Sequence, residues 1–174
     1  MRINDTMIIR DANEADVSTL ASLLRESFSD VAERFELTVE NCPKNLAFCT
    51  DQRIKGDIER GLSYYILDQD GRPCGCVALE KASPEVCYLE RLAVLPEHRR
   101  KGHGKILVEH LFDKAAQNGS QRVEIGIIAE DTKLKNWYGK FGFVLKSTKT
   151  FDHLAFVVAF MAAEIGDRNR ARNL

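Results

Sequence analysis

The sequence predicts a single α/β domain in which helices flank a partly antiparallel sheet. Two observations carry this prediction. Apolar residues recur at helical spacing near the start of the chain and again after its midpoint, and shorter apolar runs of strand length lie between them. A chain of 174 residues with 44% hydrophobic residues can also bury one core of ordinary size. We therefore expect one domain over residues 1–166, followed by a charged, frayed tail over residues 167–174.

The first third of the chain predicts one strand and two helices. Asn13, followed three residues later by Asp16, marks a helix start, because both side chains can accept hydrogen bonds from the free N–H groups of a first turn. Pro43 leaves residues 33–45 ambiguous between helix and loop. The predicted elements are a strand over residues 7–10, a helix from Ala15 with apolar positions Val17, Leu20, Leu23, Leu24 and Phe28, and a helix over residues 46–59 that stops at Gly61.

The middle of the chain predicts an antiparallel meander of three strands. Asp70-Gly71 is a strong signal for a hairpin turn, because both residues tolerate the positive φ that such turns require. Pro84 lies in the next connection and cannot continue a central strand. The strands are expected over residues 63–68, 73–80 and 86–95.

After Pro96 the apolar pattern returns to helical spacing. An amphipathic helix follows and ends at Gly119. Its apolar positions are Ile106, Leu107, Leu111 and Phe112. The remaining elements are expected over residues 123–128 (a strand), 132–141 (a helix), and 143–151 with 156–161 (a closing hairpin).

The composition limits the function. The formal net charge is −1, so no whole-molecule field favours nucleic acid or an anionic membrane, and any anion site must come from a local cluster. Five cysteines are an odd number, and the first residues carry no apolar signal-peptide core, which favours free thiols in a reducing, cytoplasmic compartment. The longest apolar run, residues 154–163, is too short to span a bilayer. We expect no nucleic-acid partner and no membrane partner.

A basic loop with two glycines stands between the predicted fourth strand and the helix after it. Its cations are Arg99, Arg100, Lys101 and Lys105. Gly102 and Gly104 have no Cβ, so backbone N–H groups can approach a ligand closely. The helix that starts there also favours an anion through its unpaired N–H groups and its dipole. The loop therefore predicts a site for a phosphate or pyrophosphate, although a basic surface turn without a ligand is the alternative.

Two of the common phosphate loops do not match. A nucleotide-binding Walker loop needs Ser or Thr after Gly104-Lys105, where this chain has Ile106. The dinucleotide fingerprint needs a third glycine, where this chain has Leu107. The pattern that remains is Arg-x-x-Gly-x-Gly, which starts at Arg99.

That pattern resembles motif A of the GNAT superfamily of N-acetyltransferases. The stretch directly upstream, Tyr88-Leu-Glu-Arg-Leu-Ala-Val-Leu-Pro, resembles the fourth strand of the family. Downstream, Asn136-Trp-Tyr-Gly-Lys-Phe-Gly-Phe resembles the family's Tyr-x-Lys-x-Gly-Phe motif. The matches occur in the family's order, and the resemblance spans about residues 7–163.

The resemblance implies a GNAT-type mixed, mainly antiparallel central sheet with splayed fourth and fifth strands, and acetyl-CoA as the acetyl donor. The backbones of Leu92, Ala93 and Val94 would hydrogen-bond the pantetheine arm, and the N–H of Leu92 would polarise the thioester carbonyl. Where the family often has a cofactor-contacting asparagine, this chain departs from the pattern with Asp131 and Thr132. The pyrophosphate would be held, mostly by backbone groups, at Arg99, Arg100, Lys101, Gly102, His103, Gly104 and Lys105.

Two side chains are candidates for proton transfer. Tyr138 resembles the family tyrosine beside the cofactor sulfur, and a phenol with a pKa of about 10 can protonate a leaving thiolate. Packing against Trp137 in the core is the alternative. Glu90 would share a strand face with Leu92 by two-residue alternation and could accept the amine proton through water. Pairing with Arg91 or with a neighbouring strand is the alternative, and several family members use no dedicated base.

The sequence indicates no metal site. Cys74 and Cys76 have a single intervening residue and no complementary pair elsewhere. His103 and His110 lie on one predicted helix without an acidic ligand at matching spacing.

The expected function is transfer of acetyl from acetyl-CoA to a primary amine of a small molecule, by direct attack through a tetrahedral intermediate. Residues 14–60 would shape the acceptor pocket, as the first two helices do in this fold, and their acidic side chains suit a cationic amine or a solvated helix face equally. The alternatives are a non-catalytic acyl-CoA sensor and an enzyme acting on a protein amine. The resemblance also leaves a homodimer possible.

Overall fold

A computed structural model of the chain describes residues 6–166 and 168. The helices of this part are α1 (Val17–Arg34), α2 (Asp51–Glu59), α3 (His103–Gln117) and α4 (Thr132–Gly139). The strands are β1 (Met7–Asp11), β2 (Ser63–Gln69), β3 (Arg72–Lys81), β4 (Val86–Val94), β5 (Arg122–Ile128), β6 (Val144–Thr150) and β7 (Val157–Glu164). No helix of the described part has both the length and the apolar character needed to cross a bilayer.

The strands follow the order β1-β2-β3-β4-β5-β7-β6 in one sheet. Antiparallel ladders join β1 to β2, β2 to β3, β5 to β7 and β6 to β7. β4 and β5 run parallel, and their register covers only Val86–Tyr88. The predicted mixed, mainly antiparallel sheet flanked by helices is therefore confirmed.

The described chain forms two compact units. The first comprises residues up to 80 together with residues 90–111, and the second comprises residues 81–89 and those from 112 onwards. β4 contributes residues to both units. That both units belong to a single domain over residues 1–166 stays a prediction. The frayed tail expected over residues 167–174 lies outside the described residues, apart from residue 168.

The core of the first unit lies between its first two helices and the sheet. Alternate residues of β2 and of β3 point to the same side of the sheet, and α1 and α2 bury their apolar faces there. Full burial of one such leucine or isoleucine stabilises the fold by about 1.5–3 kcal/mol. The buried residues include Leu20, Leu24, Ile54, Tyr64, Ile66, Cys76, Ala78 and Ala93.

The start of the first helix follows from its capping residues. Asn13 Oδ1 accepts a hydrogen bond from the N–H of Ala15 at 2.8 Å, and the Asp16 carboxylate accepts one from the N–H of Asn13 at 2.9 Å. This is a capping box, and it closes a 3-10 turn directly before α1. Arg10 also donates to both Asp16 oxygens at 3.0 Å, which ties the helix start to β1.

The predicted helix over residues 46–59 is wrong in its first part. A 3-10 turn covers Leu46–Phe48, and α2 begins only after Thr50. The Thr50 hydroxyl accepts a hydrogen bond from the N–H of Arg53 at 3.2 Å and so caps the helix. Apolar residues continue across this cap, which is why periodicity alone merges the two pieces.

Smaller differences occur at the ends of elements. α1 continues to Arg34, so the segment that the sequence left ambiguous begins as helix. α4 stops at Gly139, earlier than expected, and β7 continues to Glu164. The hairpin turn predicted at Asp70-Gly71 is confirmed, since φ is 51° at Asp70 and 77° at Gly71.

The second unit is built on β5, β7 and β6. β7 pairs with β5 on one side and with β6 on the other, so the expected closing hairpin is present. β6 is exposed along its whole length and carries Lys146 and Lys149, charges that discourage pairing with another chain at an open sheet edge. The Phe143 ring packs against Phe112 and Tyr138, with centroids 5.6 and 5.4 Å apart.

Candidate active site

β4 is irregular at Arg91. This residue has a φ of 56°, in the left-handed region that side chains other than glycine rarely adopt. Two-residue alternation does not hold across such a residue, as in a β-bulge that redirects the side chains of a strand. The expectation that Glu90 shares a face with Leu92 rested on regular alternation, so a role for Glu90 must rest on its own surroundings.

The end of β4 lies unusually close to β3. A Cβ placed on Gly75 would be 2.8 Å from the carbonyl oxygen of Ala93 and 3.1 Å from Leu107 Cδ1, so only glycine fits at this position. The N–H of Leu95 also donates to the carbonyl of Cys74 at 2.9 Å. Contacts of Leu92, Ala93 and Val94 with a pantetheine arm stay a prediction, but the backbone that would make them is held firmly.

The basic loop ends in the N-terminus of α3. That helix begins at His103, so the N–H groups of its first turn have no acceptor within the helix. Among the described residues, no backbone carbonyl accepts from the N–H groups of residues 100–105. Arg100 and Gly102 have φ of 61° and 85°. Left-handed residues of this kind turn successive N–H groups toward one concavity, which suits an anion.

The cations of this loop divide into two groups. Arg100, Lys101 and Lys105 are exposed, and no ion pair joins them to the other described residues. Arg99 is engaged instead: its guanidinium donates to Asp30 Oδ2 at 2.7 Å and to the carbonyl of Val94 at 3.0 Å. The Arg99 side chain therefore anchors the loop to α1 and to the end of β4. The N–H of Arg99 donates to the carbonyl of Pro96 at 3.3 Å, so both the guanidinium and the backbone donor of Arg99 are engaged, and its contact with a phosphate stays a prediction.

His103 is buried, and its side chain turns inward. Its Nδ1 lies 2.7 Å from the carbonyl oxygen of His98, at the other end of the loop. Only the backbone of His103 is thus left for the pyrophosphate contact that the sequence predicts.

A buried ion pair that sequence reasoning missed lies beside Glu90. Asp57 on α2 is 1% exposed and accepts hydrogen bonds from Arg91 Nε at 3.0 Å and from the Tyr64 hydroxyl at 2.6 Å. Burial alone would raise the pKa of Asp57, but these hydrogen bonds and the nearby guanidinium charges outweigh it and hold the pKa low. The helical spacing of α2 marks Asp57 as a core-facing position, which is the signal that could have indicated a buried partner.

The surroundings of Glu90 change its pKa in both directions. Burial raises the pKa of Glu90 to about 7, and a hydrogen bond with Glu80 acts in the same direction. The Arg91 guanidinium, 3.5 Å away, works against this rise. A carboxyl group with a pKa near 7 can both take up and release a proton at neutral pH. This is the property that a general base requires.

Tyr138 belongs to the second unit, on α4. It is 5% exposed, and its ring packs against Trp137 and Phe143 with centroids 5.0 and 5.4 Å apart. Burial raises the pKa of Tyr138 well above that of a free phenol, which makes the hydroxyl a weaker proton donor than a free phenol. Both the packing role and the acid role that the sequence suggested are compatible with these surroundings. Asp131, at the position where the family often has asparagine, caps α4 through the N–H of Leu134 at 3.1 Å.

A cavity of about 310 Å³ opens beside α2. It lies within residues 14–60, the segment expected to shape an acceptor pocket. Its lining is Pro43, Asn45, Leu46, Phe48, Cys49, Thr50, Gln52 and Arg53.

Comparison with known sequences identifies relatives. The profile of the family described as Acetyltransferase (GNAT) family matches residues 20–143. An amino-acid acetyltransferase from Neisseria meningitidis is 28% identical over 137 residues, which make up 78% of this chain and 27% of that protein. The chain therefore spans only about a quarter of the length of this relative.

Solved structures show the same fold. The PaiA N-acetyltransferase from Thermoplasma acidophilum, in complex with coenzyme A, superposes with a TM-score of 0.76 at 18% identity. That match covers 91% of this chain and 99% of the other. A ribosomal-protein alanine N-acetyltransferase from Escherichia coli has a TM-score of 0.73 at 16% identity, covering 92% of this chain and 94% of the other.

Proposed function

Because the chain belongs to the GNAT family of acetyltransferases, we propose that it transfers the acetyl group of acetyl-CoA to a primary amine of a small molecule. The basic loop is the observation that carries this proposal. Its exposed cations, its left-handed residues and the free N–H groups at the start of α3 together favour a pyrophosphate. Coenzyme A contains a pyrophosphate, and one of the superposable structures is a complex with coenzyme A.

We assign roles to the candidate residues as follows. The backbone at Leu92, Ala93 and Val94 binds the pantetheine arm, and the N–H of Leu92 stabilises the oxyanion that forms at the thioester carbonyl. The backbone N–H groups of residues 100–105 bind the pyrophosphate, and the side chains of Arg100 and Lys105 add charge. One preorganised donor to an oxyanion lowers a barrier by about 3 kcal/mol.

Proton transfer is assigned to two side chains. Glu90, whose burial raises its pKa to about 7, accepts the proton of the attacking ammonium through water. The neutral amine nitrogen then forms a bond to the thioester carbon. As the tetrahedral intermediate collapses, the carbon–sulfur bond breaks and the nitrogen loses its second proton to solvent, from which the phenol of Tyr138 is reprotonated after each turnover. Tyr138, whose phenol is protonated at neutral pH, donates its proton to the departing thiolate.

The acceptor is proposed to be small and cationic. The cavity beside α2 supports a small acceptor, although Arg53 in its lining does not favour a cation. Support for a cation comes from the acidic residues of α1, which favour an ammonium group over an anion. The relatives act on different amines: one is named for amino acids and another for the alanine of a ribosomal protein. An acceptor on a protein is the alternative, and a panel of amines distinguishes the two.

Thiol release from acetyl-CoA across such a panel tests the proposal. The wild type is compared with Arg100→Gln/Lys105→Gln, which removes two exposed loop charges, and with Lys133→Gln/Lys146→Gln, which removes two exposed charges elsewhere. We expect amine-dependent release, with KM for acetyl-CoA raised about tenfold or more in the loop variant only, because charge-assisted phosphate contacts are lost. Acetyl-CoA binding without release for any amine would favour a sensor, and equal effects of both variants would contradict the assignment of the loop.

A further inference from the structure

The structure brings a cysteine and two histidines together at the base of the basic loop. Cys74 lies on β3, His98 ends the 3-10 turn Pro96–His98, and His103 is the first residue of α3. One ligand atom from each, the sulfur and two ring nitrogens, lies within 4.8 Å of the others. Sequence reasoning expected no metal here because it compared Cys74 with Cys76 and His103 with His110, whereas the partners come from separate segments.

The hydrogen bonds of the two histidines involve their Nδ1 atoms and leave the Nε2 atoms to bind a metal. His103 Nδ1 lies 2.7 Å from the carbonyl oxygen of His98, which can only accept, so Nδ1 carries the proton and Nε2 offers its lone pair. His98 Nδ1 lies 2.9 Å from Gln69 Oε1 and is oriented in the same way. Metal-binding histidines usually donate their other N–H to an oxygen of this kind, which fixes the ring and the tautomer.

The surroundings favour a cation. Cys74 is fully buried and His103 nearly so. Asp68 lies opposite Pro73 in the β2–β3 ladder, next to Cys74, and Arg10 Nε donates to its Oδ2 at 2.8 Å. Within the described part of the chain, Asp68 Oδ1 is buried without a hydrogen-bond partner. Arg10 already balances the charge of Asp68, but a bound ion or water would explain a buried carboxylate oxygen without a partner.

The geometry points to a binding site for one divalent cation of the Zn²⁺ class, held by Cys74 Sγ, His98 Nε2 and His103 Nε2. Thiolate and imidazole are the ligands that zinc prefers, and three protein ligands leave its fourth position open. Zinc bond lengths at tetrahedral angles place such ligand atoms about 3.3–3.6 Å apart. Closing from 4.8 Å thus needs movements of roughly 1 Å. On binding, the Cys74 thiol loses the proton that it now donates to the carbonyl of Leu67 at 3.3 Å.

A metal bound by these three residues would restrain the basic loop. Its ligands precede and follow residues 99–102 directly, and Cys74 fixes both to the sheet. The cation would therefore hold the ends of the basic loop at a set separation. This consequence for coenzyme A rests on the proposed function, but the metal site itself does not.

Titration with Co²⁺ tests the site, because a cobalt–thiolate bond gives a near-ultraviolet charge-transfer band that imidazole and carboxylate ligands do not. The full chain is freed of metal with a chelator and titrated without acetyl-CoA, so a failure of the proposed function cannot affect the result. We expect one Co²⁺ per chain with this band, and displacement of the cobalt by Zn²⁺. Absence of saturable binding, or binding without the band, would overturn the proposal.

Variants separate this site from other thiols. Cys74→Ser should abolish the band and lower the Zn²⁺ affinity by more than about 100-fold, since losing a ligand costs more than the 10–100-fold typical of an outer-shell partner. The matched control Cys76→Ser changes another fully buried cysteine of β3 and should keep the band. His98 is half-buried in a turn, so His98→Gln provides a second ligand variant if Cys74→Ser does not fold. His98→Gln should weaken Zn²⁺ binding by at least about tenfold. Full affinity in His98→Gln, or loss of the band in Cys76→Ser alone, contradicts the assignment.

Discussion

At the scale of single residues, Glu90 has the most consequential surroundings. Burial raises the pKa of its carboxyl group to about 7. The hydrogen bond with Glu80 also raises this pKa, and the charge of Arg91 lowers it. In the proposed reaction, kcat/KM should rise with pH up to about 7 and then level off as Glu90 ionises. Glu90→Gln should lower kcat/KM by about 100-fold and remove this limb of the profile. An unchanged profile in Glu90→Gln would assign the base role elsewhere.

Glu90→Gln should lower the activity but raise the stability of the fold at pH 8. The folded pKa of Glu90 lies above its unfolded value, so its contribution to stability is present below about pH 4.3 and is lost as pH rises through about 7. Glu90→Gln does not titrate. Its free energy of unfolding should therefore exceed that of the wild type by about 1–3 kcal/mol at pH 8 and by much less at pH 4. Urea unfolding at the two pH values measures the difference.

Tyr138 gives a second prediction at this scale. Tyr138→Phe keeps the ring that packs against Trp137 and Phe143 and removes only the hydroxyl. We expect kcat to fall about 100-fold, with little change in KM for acetyl-CoA and in Tm, because only the proton donor is lost. Steady-state kinetics and thermal unfolding on the same samples check this. A lower Tm with unchanged kcat would indicate that Tyr138 serves packing alone.

At the scale of elements, the Asp57 pair joins α2 to β4 at the irregular residue of that strand. Asp57→Ala removes the carboxylate to which the buried Arg91 guanidinium donates and leaves Glu90, 3.5 Å away, as the nearest carboxylate among the described ion pairs of Arg91. We expect a loss of about 3 kcal/mol or more in the free energy of unfolding, since an uncompensated buried charge is costly. The control Glu59→Ala, exposed on the same helix, should change it by less than about 0.5 kcal/mol.

The pH dependence of this loss provides a further check. Hydrogen bonds hold the pKa of Asp57 below its ordinary value, so the stability that it contributes is present above about pH 3.9 and is lost as pH falls below that. The difference between wild type and Asp57→Ala should shrink in that acid range. A difference that does not change with pH would mean that the charge of Asp57 matters less than its packing.

Local signals predicted most elements correctly. Asp70-Gly71 marked its hairpin, and Asn13 with Asp16 marked the start of the first helix, because turns and caps depend on nearby residues. Thr50 was missed because a cap inside a continuing apolar pattern does not interrupt its periodicity. The left-handed Arg91 was also missed, since no glycine or other local signal marks it, and the Asp57 carboxylate that its side chain contacts lies on a distant helix.

At the scale of the whole molecule, the sequence was informative about the basic loop and much less so about contacts between distant residues. The basic loop is contiguous, so its cations and glycines could be recognised together. The partners of Asp57, and the neighbours of Cys74 at His98 and His103, lie far apart in the chain and meet only after folding. Spacing along the sequence carries no information about such pairs, and acceptor recognition depends on contacts of the same kind.

Binding of the donor should also affect the whole molecule. A ligand present at 100 times its Kd stabilises the native state by about 2.7 kcal/mol. Acetyl-CoA should therefore raise Tm measurably, and ATP or NAD at the same concentration should raise it less. Stabilisation by ATP or NAD without an effect of acetyl-CoA would point to a nucleotide-binding function instead.

Isotope-labelled acetyl transfer tests the central claim most directly. The protein is incubated with acetyl-CoA labelled in its acetyl group and a panel of small primary amines, and the products are identified by mass spectrometry. Our account predicts that the label appears on the nitrogen of at least one amine, at a rate reduced about 100-fold by Tyr138→Phe. Label that stays on coenzyme A or is released only as free acetate, across the whole panel, would contradict it.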